Sequence, residues 1–253
     1  SEVCVMSYKS CFIIPVYNHH QFIEETLIKI MPYGDQVFLI DDGSIEEGQF
    51  LLEDLSKKNP AVSLIRHPYN QGKGAAVITG LEAAFKQGFT HALQIDADGQ
   101  HDHSDISNFI EYSREYPANI VSGQPIYDSS VPKSRHYGRY ISHFWVWVET
   151  LSFDIKDSMC GFRVYPLDPI ISLLKDITLC QRMDFDTEIL VRLYWRGVPT
   201  HFIKTRVVYP LDGISHFNNL TDNWRITKLH TRLFFGMLKI WVCFFKKTCF
   251  CSK

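Results

Sequence analysis

Short apolar runs alternate with helix-forming segments along the first half of the chain, and this alternation restricts the fold more than any other feature. Five runs are predicted strands: 11–17, 36–40, 62–66, 91–95 and 119–122. Four segments between or after them are predicted helices: 21–31, 45–58, 73–87 and 105–116. Because short strands separated by helices form βαβ units, the sequence predicts an α/β fold with a mostly parallel sheet.

The second half has a different character. Residues 124–138 contain two prolines, three serines and several charges, and we expect them to form a loop over the site. Helices are predicted at 140–152 and 186–196, and strands at 161–165 and 200–209. The whole chain therefore reads as one large α/β unit followed by a tail.

Composition excludes several classes of protein. The chain has 253 residues, 45% of them hydrophobic, which is enough for a packed core. A net charge of −2 gives no global attraction to nucleic acid, and we expect no nucleic-acid partner. The seven cysteines are scattered without a CxxC pair, which favours reduced thiols in the cytosol over disulfides or zinc. The first ten residues lack the apolar core of a signal peptide.

The C-terminal tail, residues 223–253, stands apart from the rest. Residues 233–245 are nearly all apolar, and basic residues flank or interrupt them. Thirteen residues are too few to span a bilayer. A basic helix with bulky apolar residues suits the membrane interface, so we predict a membrane-interface helix there. The alternative is a helix that packs on its own domain or on a second copy of the chain.

Two acidic pairs follow predicted strands. Asp41 and Asp42 come after the second strand, and Asp96 and Asp98 come after the fourth. The carboxyl ends of parallel strands meet at one edge of a sheet, which is where such sheets bind ligands. Carboxylates one residue apart suit Mg²⁺ or Mn²⁺, which would bridge to a diphosphate. Acidic turns are common, however, and Asp42 can instead cap the next helix.

Two further turns suggest a nucleotide ligand. In the turn from Pro15 to Asn18, Tyr17 can stack on a base, although an ordinary strand-to-helix turn explains the same residues. The glycine-lysine turn at 70–74 opens a helix, so its amides and Lys73 favour an anion. The P-loop spacing is absent from this turn.

In chain order, the motifs Ile-Pro-Val-Tyr-Asn, Asp-Asp-Gly-Ser, Asn-Gln-Gly-Lys-Gly and Asp-Ala-Asp-Gly-Gln-His resemble family-2 glycosyltransferases, which have the GT-A fold. The resemblance covers roughly residues 10–220 and is closest to the dolichol- and polyprenyl-phosphate sugar transferase branch. It implies a nucleotide-sugar donor, and it adds Gln100 to the metal ligands Asp96 and Asp98. The implied donor-binding residues are Pro15, Tyr17, Asn18, Asp41, Asp42, Lys73 and Asp96. The implied domain is 10–222, with a nucleotide-sugar half at 10–123 and an acceptor half at 124–222.

Matches at 157–163, 184–188 and 212–215 extend the resemblance into the acceptor half. The catalytic candidates there are Asp157, Asp186, Glu188 and Arg163. Helical spacing places Asp186 and Glu188 about 200° apart, so both cannot face the site. Arg135, Arg139 and Ser142 are candidates for binding an acceptor, since arginines hold the lipid phosphate in that branch. Alternatively, these arginines are solvated or pair with Asp128 and Glu149, and the acids cap helices or pair with Arg163 or Arg192.

The resemblance implies an inverting transferase that moves a sugar from a UDP- or GDP-sugar to a lipid-linked acceptor. We expect a polyprenyl phosphate acceptor, at the cytosolic face of the membrane. A hydroxyl acceptor remains an alternative, and a nucleotidyltransferase or a non-catalytic membrane module is a more distant one. Two departures stand out: the tail is shorter than the transmembrane helices of many relatives, and His216 stands where lysine is frequent. Homo-oligomerisation stays open.

Overall fold

The computed structural model describes residues 7–18, 20–34, 36–97, 103–126, 133–206 and 219–250. Seven strands lie in these ranges: β1 (Ser10–Val16), β2 (Val37–Asp41), β3 (Val62–Arg66), β4 (His91–Gln94), β5 (Ile120–Ile126), β6 (Arg163–Pro166) and β7 (Thr200–Arg206). The same ranges contain eight α-helices: α1 (Ile23–Ile30), α2 (Glu46–Lys58), α3 (Lys73–Lys86), α4 (Ile106–Glu115), α5 (Lys133–Thr150), α6 (Leu167–Asp176), α7 (Phe185–Trp195) and α8 (Asn219–Phe250).

The strands form one sheet in the order β3-β2-β1-β4-β6-β5-β7. Neighbouring strands run parallel from β3 to β4, and β7 is parallel to β5. Strand β6 alone of these seven described strands runs antiparallel to both of its neighbours. Because the chain leaves β1 on one side for β2 and returns on its other side as β4, β1 marks a switch point where ligands bind. The predicted mostly parallel α/β sheet is confirmed.

Both faces of the sheet are covered, which explains the continuous apolar runs of its central strands. On one face Ile13 of β1 packs with α3, α6 and α7. On the other face Phe12 and Ile14, its neighbours in sequence, pack with α1 and α4. Successive side chains of a strand point to opposite faces, so a single strand contributes to both layers. This rigid central sheet positions the loops at its carboxyl edge.

The predicted elements of the first half are confirmed within two residues at each end, except that the fifth strand, predicted at 119–122, extends four residues further as β5. The second half differs in three places. The segment predicted as a loop at 124–138 contains the end of β5 and the start of α5. Helix α6 was not predicted; its Pro169 lies in the first turn, where proline is tolerated. The last strand was predicted to reach residue 209, but β7 ends at Arg206 and 207–209 lie outside the described residues.

Helix α8 packs on the domain along one side. Leu229, Leu233 and Met237 are buried in it, and Gly236 lies against the Trp195 ring of α7. Its other side exposes Phe235, and further along the helix Trp241 is also exposed. Within the described part of the chain, no helix combines the length and apolar character needed to cross a membrane.

Candidate active site

The turn after β2 is organised around the carboxylate of Asp42. Its Oδ1 accepts a hydrogen bond from the backbone N–H of Gln71 at 2.9 Å, and its Oδ2 accepts one from the backbone N–H of Gly72 at 2.7 Å. His67 Nδ1 lies 2.8 Å from Oδ1. Gly72 has a φ of +111°, which L side chains rarely adopt. Asp42 therefore holds the glycine-lysine turn in place beside the end of β2.

Asp41 is fully buried and also has protein partners. Its Oδ1 accepts a hydrogen bond from the backbone N–H of Ser44 at 2.9 Å, and its Oδ2 accepts one from Arg66 Nε at 2.8 Å. The two carboxylates point in different directions, as two neighbouring side chains at a strand end must. Both predicted donor-binding carboxylates thus shape the turns at the sheet edge.

The turn after β1 is tied to the turn after β2. Asn18 has a φ of +57°, and its Oδ1 accepts a hydrogen bond from the backbone N–H of Ile45 at 2.9 Å. Its own backbone N–H donates to Ser44 Oγ at 3.1 Å. Pro15 is buried within β1, and Tyr17 is half-buried at the end of that strand. The structure therefore brings these three predicted residues to the same edge as the acidic turn.

An ammonium group lies between two carboxylates at the centre of this edge. Lys73 Nζ, at the first position of α3, donates to Asp96 Oδ2 and to Asp186 Oδ2, each at 2.8 Å. Asp96 lies two residues after the end of β4, and Asp186 belongs to the first turn of α7. Burial opposes the charge of Lys73, but the two aspartates outweigh it, so the pKa of Lys73 is raised. This charged cluster joins the two halves of the chain.

Two residues of the central strands support the cluster through hydrogen bonds. Gln94, the last residue of β4, directs its Nε2 to Asp96 Oδ1 and Asp186 Oδ1, each at 3.4 Å. Tyr165 of β6 donates to Gln94 Oε1 at 3.3 Å. Burial raises the pKa of Tyr165 to about 12, so its hydroxyl stays a donor at neutral pH. Sequence reasoning missed Gln94, although a glutamine within an apolar strand was a visible signal.

The loop before β6 passes directly over the charged cluster. A Cβ on Gly161 would lie 2.5 Å from Asp96 Oδ2 and 2.7 Å from Lys73 Nζ. A Cβ at this position would force the carboxylate or the ammonium to shift, so the glycine lets the backbone cross close to the undisturbed cluster. Gly161, one residue of the motif at 157–163, is thus explained by the close approach of its backbone to the cluster.

Arg163 lies fully buried beneath that loop. Its donors go to Ser122 Oγ at 3.1 Å, to the Asp186 carbonyl at 2.9 Å and to the Cys160 carbonyl at 3.0 Å. Burial opposes its charge, but Tyr165 and Asp186 more than offset it, so the pKa of Arg163 is raised. The guanidinium therefore connects the loop to the start of α7. These contacts suit a positioning residue.

Asp157 is held by an arginine of α5. Arg139 donates from Nε and Nη2 to Asp157 Oδ2, at 2.7 and 2.5 Å. Asp157 Oδ1 accepts from the backbone N–H groups of Met159 and Cys160, at 3.0 and 2.9 Å. Two of the predicted residues of the acceptor half are thus brought together. Arg135 also lies on α5, but its side chain is outside the described residues.

Glu188 points away from the cluster, as its helical spacing from Asp186 predicts. It is fully buried, and its Oε2 accepts from the backbone N–H of Cys180 and lies 2.7 Å from Arg232 Nη2 of α8. Its Oε1 lies 3.3 Å from Arg192, one of the partners considered from the sequence. Glu149 does not pair with Arg139; its Oε1 lies 2.8 Å from His230 Nδ1.

A small cavity of about 60 Å³ lies between α5, α7 and α8. The predicted acceptor residue Ser142 lines it and is buried. Asp186 belongs to its wall as well as to the charged cluster. His230 also lines the cavity, and nothing in the sequence around His230 marked it in advance.

The predicted metal ligands are only partly within the described residues. Asp98 and Gln100 lie outside them, and no three acidic, histidine or cysteine side chains among the described residues form a metal site. Asp96 does fit a hard divalent cation. Its carboxylate is 20% exposed at the sheet edge, beside Lys73.

Comparisons with known proteins agree with this geometry. Residues 11–170 match the family model described as Glycosyl transferase family 2. The chain is 26% identical over 231 residues to a UDP-N-acetylglucosamine–dolichyl-phosphate N-acetylglucosaminyltransferase from Methanococcus voltae, covering 85% of this chain and 91% of the relative. It is 27% identical over 208 residues to a dolichyl-phosphate beta-glucosyltransferase from Dictyostelium discoideum, covering 74% of this chain and 62% of the relative. Both relatives belong to the branch that the motifs indicated.

A solved structure supports the fold independently of these sequence matches. A mannosyltransferase from Pyrobaculum calidifontis in complex with GDP-Man and Mn²⁺ superposes with a TM-score of 0.56 at 16% identity. The match covers 82% of this chain and 59% of that one. This chain therefore spans less than two thirds of that structure and of the Dictyostelium relative. From the family model, the relatives and the sheet topology, the chain belongs to glycosyltransferase family 2 and is a glycosyltransferase with the GT-A fold.

Proposed function

We propose that the protein transfers a sugar, with inversion, from a UDP- or GDP-sugar to a polyprenyl phosphate at the cytosolic membrane face. The observation that carries this proposal is the charged cluster of Lys73, Asp96 and Asp186 at the switch point of the sheet. It joins the turns of the donor half to the first helical turn of the acceptor half. A nucleotide diphosphate above this edge would present its sugar to residues of both halves.

The charges of the cluster favour a cation-dependent donor. Lys73 and the buried Arg163 only balance the charges of Asp186 and Asp96, and the partly exposed carboxylate of Asp96 would repel a bare diphosphate brought close to it. We propose that Asp96, with Asp98 and Gln100, holds Mg²⁺ or Mn²⁺. When bound, the cation would neutralise the charge that builds on the departing nucleoside diphosphate. The GDP-Man and Mn²⁺ bound to the Pyrobaculum mannosyltransferase support this proposal.

The acceptor side supports a phosphate rather than an alcohol. Asp157 is the best-placed acid of its loop, but Arg139 and two backbone N–H groups already hold both of its oxygens. Both oxygens are therefore already occupied by protein donors and are not left to take a proton from an acceptor hydroxyl. Its arginine, with a quarter of the side chain exposed, is suited to a phosphate. A lipid phosphate is already ionised at pH 7 and attacks without a base, whereas an alcohol needs one.

Helices α5 and α8 offer a surface for the membrane. Helix α5 exposes Tyr140, Ile141 and Phe144. Helix α8 exposes Leu238, Ile240, Trp241 and Val242, and it carries basic residues at 225, 228, 232 and 239. Apolar and aromatic side chains beside basic ones suit an anionic bilayer surface. The dolichyl-phosphate activities in the relatives' names support a lipid-linked acceptor for this chain.

The function is tested by incubating the full chain with UDP-Glc, GDP-Man and their relatives, Mn²⁺ and a polyprenyl phosphate, and separating the lipid products. We expect EDTA to abolish transfer and the anomeric configuration of the product to be inverted, as read by NMR. A lipid alcohol serves as the competing acceptor. Transfer to the alcohol alone would contradict the phosphate acceptor, and full activity in EDTA would contradict the metal.

Membrane contact is tested by co-sedimentation with anionic vesicles. The buried Leu229 and Leu233 show that removing the tail would open the core, so point changes are the sharper test. We expect Trp241→Ser and Phe144→Ser to lower vesicle binding and to leave thermal stability unchanged, since both side chains are exposed. Phe50 is also exposed but belongs to α2, which is not part of the proposed membrane surface, so Phe50→Ser is the control. Equal binding by all three variants would contradict the surface.

A further inference from the structure

We propose that the cavity between α5, α7 and α8 is a subsite for a hydroxyl group of the transferred sugar, with His230 and Asp184 as its hydrogen-bonding residues. This inference rests on the proposed function, because it takes a nucleotide sugar as the donor. It assigns to α8 a part in sugar selection, which neither the family match nor the sequence motifs indicated.

Two buried polar atoms at the cavity have no hydrogen-bond partner within the described part of the chain. They are His230 Nε2 and Asp184 Oδ1, and both residues line the cavity. His230 is 6% exposed and its ring is fixed from the other side, where Nδ1 lies 2.8 Å from Glu149 Oε1. Leaving a buried polar atom unpaired costs free energy, so such atoms indicate a ligand or ordered water.

The charges around the cavity select the kind of ligand. Asp184 and Asp186 both line it, and two carboxylates oppose an anion such as the acceptor phosphate. Ser142 supplies a hydroxyl, and Met159 and Leu229 supply apolar wall. A neutral hydroxyl group can donate its one proton to Asp184 Oδ1 and accept a hydrogen bond from His230 in the tautomer whose Nε2 carries the proton. The polar set therefore fits a hydroxyl better than a phosphate.

The size and place of the cavity agree with a sugar hydroxyl. A volume of about 60 Å³ is well below the roughly 150 Å³ of a protein cavity that encloses benzene, and it is too small for a whole sugar ring. It suits a hydroxymethyl group or one or two hydroxyls. Asp186 lies in both the cavity wall and the charged cluster, so the cavity adjoins the place proposed for the diphosphate.

Two variants of His230 distinguish the contribution of Nε2 to sugar binding from that of Nδ1. In His230→Asn the amide nitrogen reaches the position of Nδ1 and keeps the contact to Glu149, but nothing replaces Nε2. In His230→Gln the amide nitrogen reaches the position of Nε2. Calorimetry in Mn²⁺ would measure the affinities of UDP-Glc and GDP-Man, with UDP and GDP as sugar-free ligands. The neighbouring exposed residue gives the control Thr231→Ala, and melting curves verify folding.

We expect His230→Asn to lower the affinity for the preferred nucleotide sugar by about fivefold relative to its nucleotide, the usual worth of one hydrogen bond. His230→Gln should restore part of that ratio, and Asp184→Asn should lower it. A ratio that stays at the wild-type value in His230→Asn, or falls equally in both histidine variants, overturns the subsite. A wild-type chain that binds neither nucleotide overturns the proposed function, and the subsite with it.

Discussion

The two halves of the site are held together by different kinds of contact. In the donor half, the carboxylates of Asp41 and Asp42 are fixed largely by backbone N–H groups of neighbouring turns, such as those of Ser44 and Gly72. In the acceptor half, side chains far apart in sequence hold the helices together, as in the pair of Glu149 and His230. Backbone donors are present whatever the side chain, whereas a side-chain pair requires both partners.

This difference predicts where the chain tolerates change. A turn fixed by backbone N–H groups needs only its acidic residue and its glycine, so it is preserved as a short motif. Helices joined by side-chain pairs can exchange both partners and shift without disturbing the sheet. We therefore expect single substitutions in the donor-half turns of this chain to be tolerated less well than paired exchanges between its acceptor-half helices.

The largest expected effect comes from the carboxylate that both halves share through Lys73. We expect Asp96→Asn to lower transfer by about 10²–10³-fold, the loss typical for removing a group that stabilises charge in a transition state. Steady-state rates in Mn²⁺ measure it. Asp176→Asn is the matched control, because that side chain is 61% exposed and pairs only with Arg196 among its described contacts. Equal rates in both variants would show that Asp96 has no role in the transfer reaction.

The next effect belongs to the acceptor half alone. We expect Arg139→Ala to raise the KM of the lipid phosphate by about 10–100-fold, the worth of a hydrogen bond to a charged group, with the donor KM unchanged. Arg139→Lys should recover little, because lysine lacks the planar pair of donors. Initial rates over both substrate concentrations separate the two constants.

Asp157→Asn completes that measurement, since it keeps an oxygen to accept the backbone N–H groups of its turn. If Asp157 serves to hold Arg139, this variant changes the acceptor KM more than kcat. If it is a general base, kcat falls by about 10²–10⁴-fold and its pH profile shifts. The second outcome would favour an alcohol acceptor and reverse our assignment.

The same contrast explains how much the sequence could predict. Strand periodicity predicted the sheet. Asp42 and Asp96 were proposed because their turns follow apolar strands, and Lys73 because its glycine-lysine turn opens a helix. Arg163 was proposed as catalytic, yet its burial depends on contacts to Ser122 and to the Asp186 carbonyl, which no local pattern contains. The pairing of His230 with Glu149 spans 81 residues and was equally invisible. Residues that act within one turn can be predicted from a sequence, whereas contacts between helices can be identified only once the fold is known.

A stability measurement tests the helix contacts directly. We expect Glu188→Ala to lower the free energy of unfolding by about 2–3 kcal/mol, because the Cys180 N–H is left without its acceptor and Arg232 loses its partner on α7. Urea unfolding gives the value. Glu188→Gln keeps an acceptor for the Cys180 N–H and should cost less. A fall in kcat without a change in stability would instead support the catalytic role first predicted for Glu188.

The smallest expected effect concerns the pH dependence of the α5–α8 contact. Burial raises the pKa of Glu149 above its ordinary 4.5, although His230 partly counteracts this. The unfolded chain therefore releases this proton more readily than the folded one, and the carboxyl costs stability as pH rises above 4.5. Glu149→Gln keeps an acceptor for His230 and removes the titration of this carboxyl.

The melting temperature of Glu149→Gln should match the wild type below pH 4.5 and exceed it increasingly toward neutral pH. Thermal unfolding between pH 4 and 8, with exposed Glu111→Gln as the control, measures the difference. A variant that becomes less stable than the wild type toward neutral pH would show that the ionised pair of Glu149 and His230 stabilises α8, and the acceptor half would then depend on charge as the donor half does.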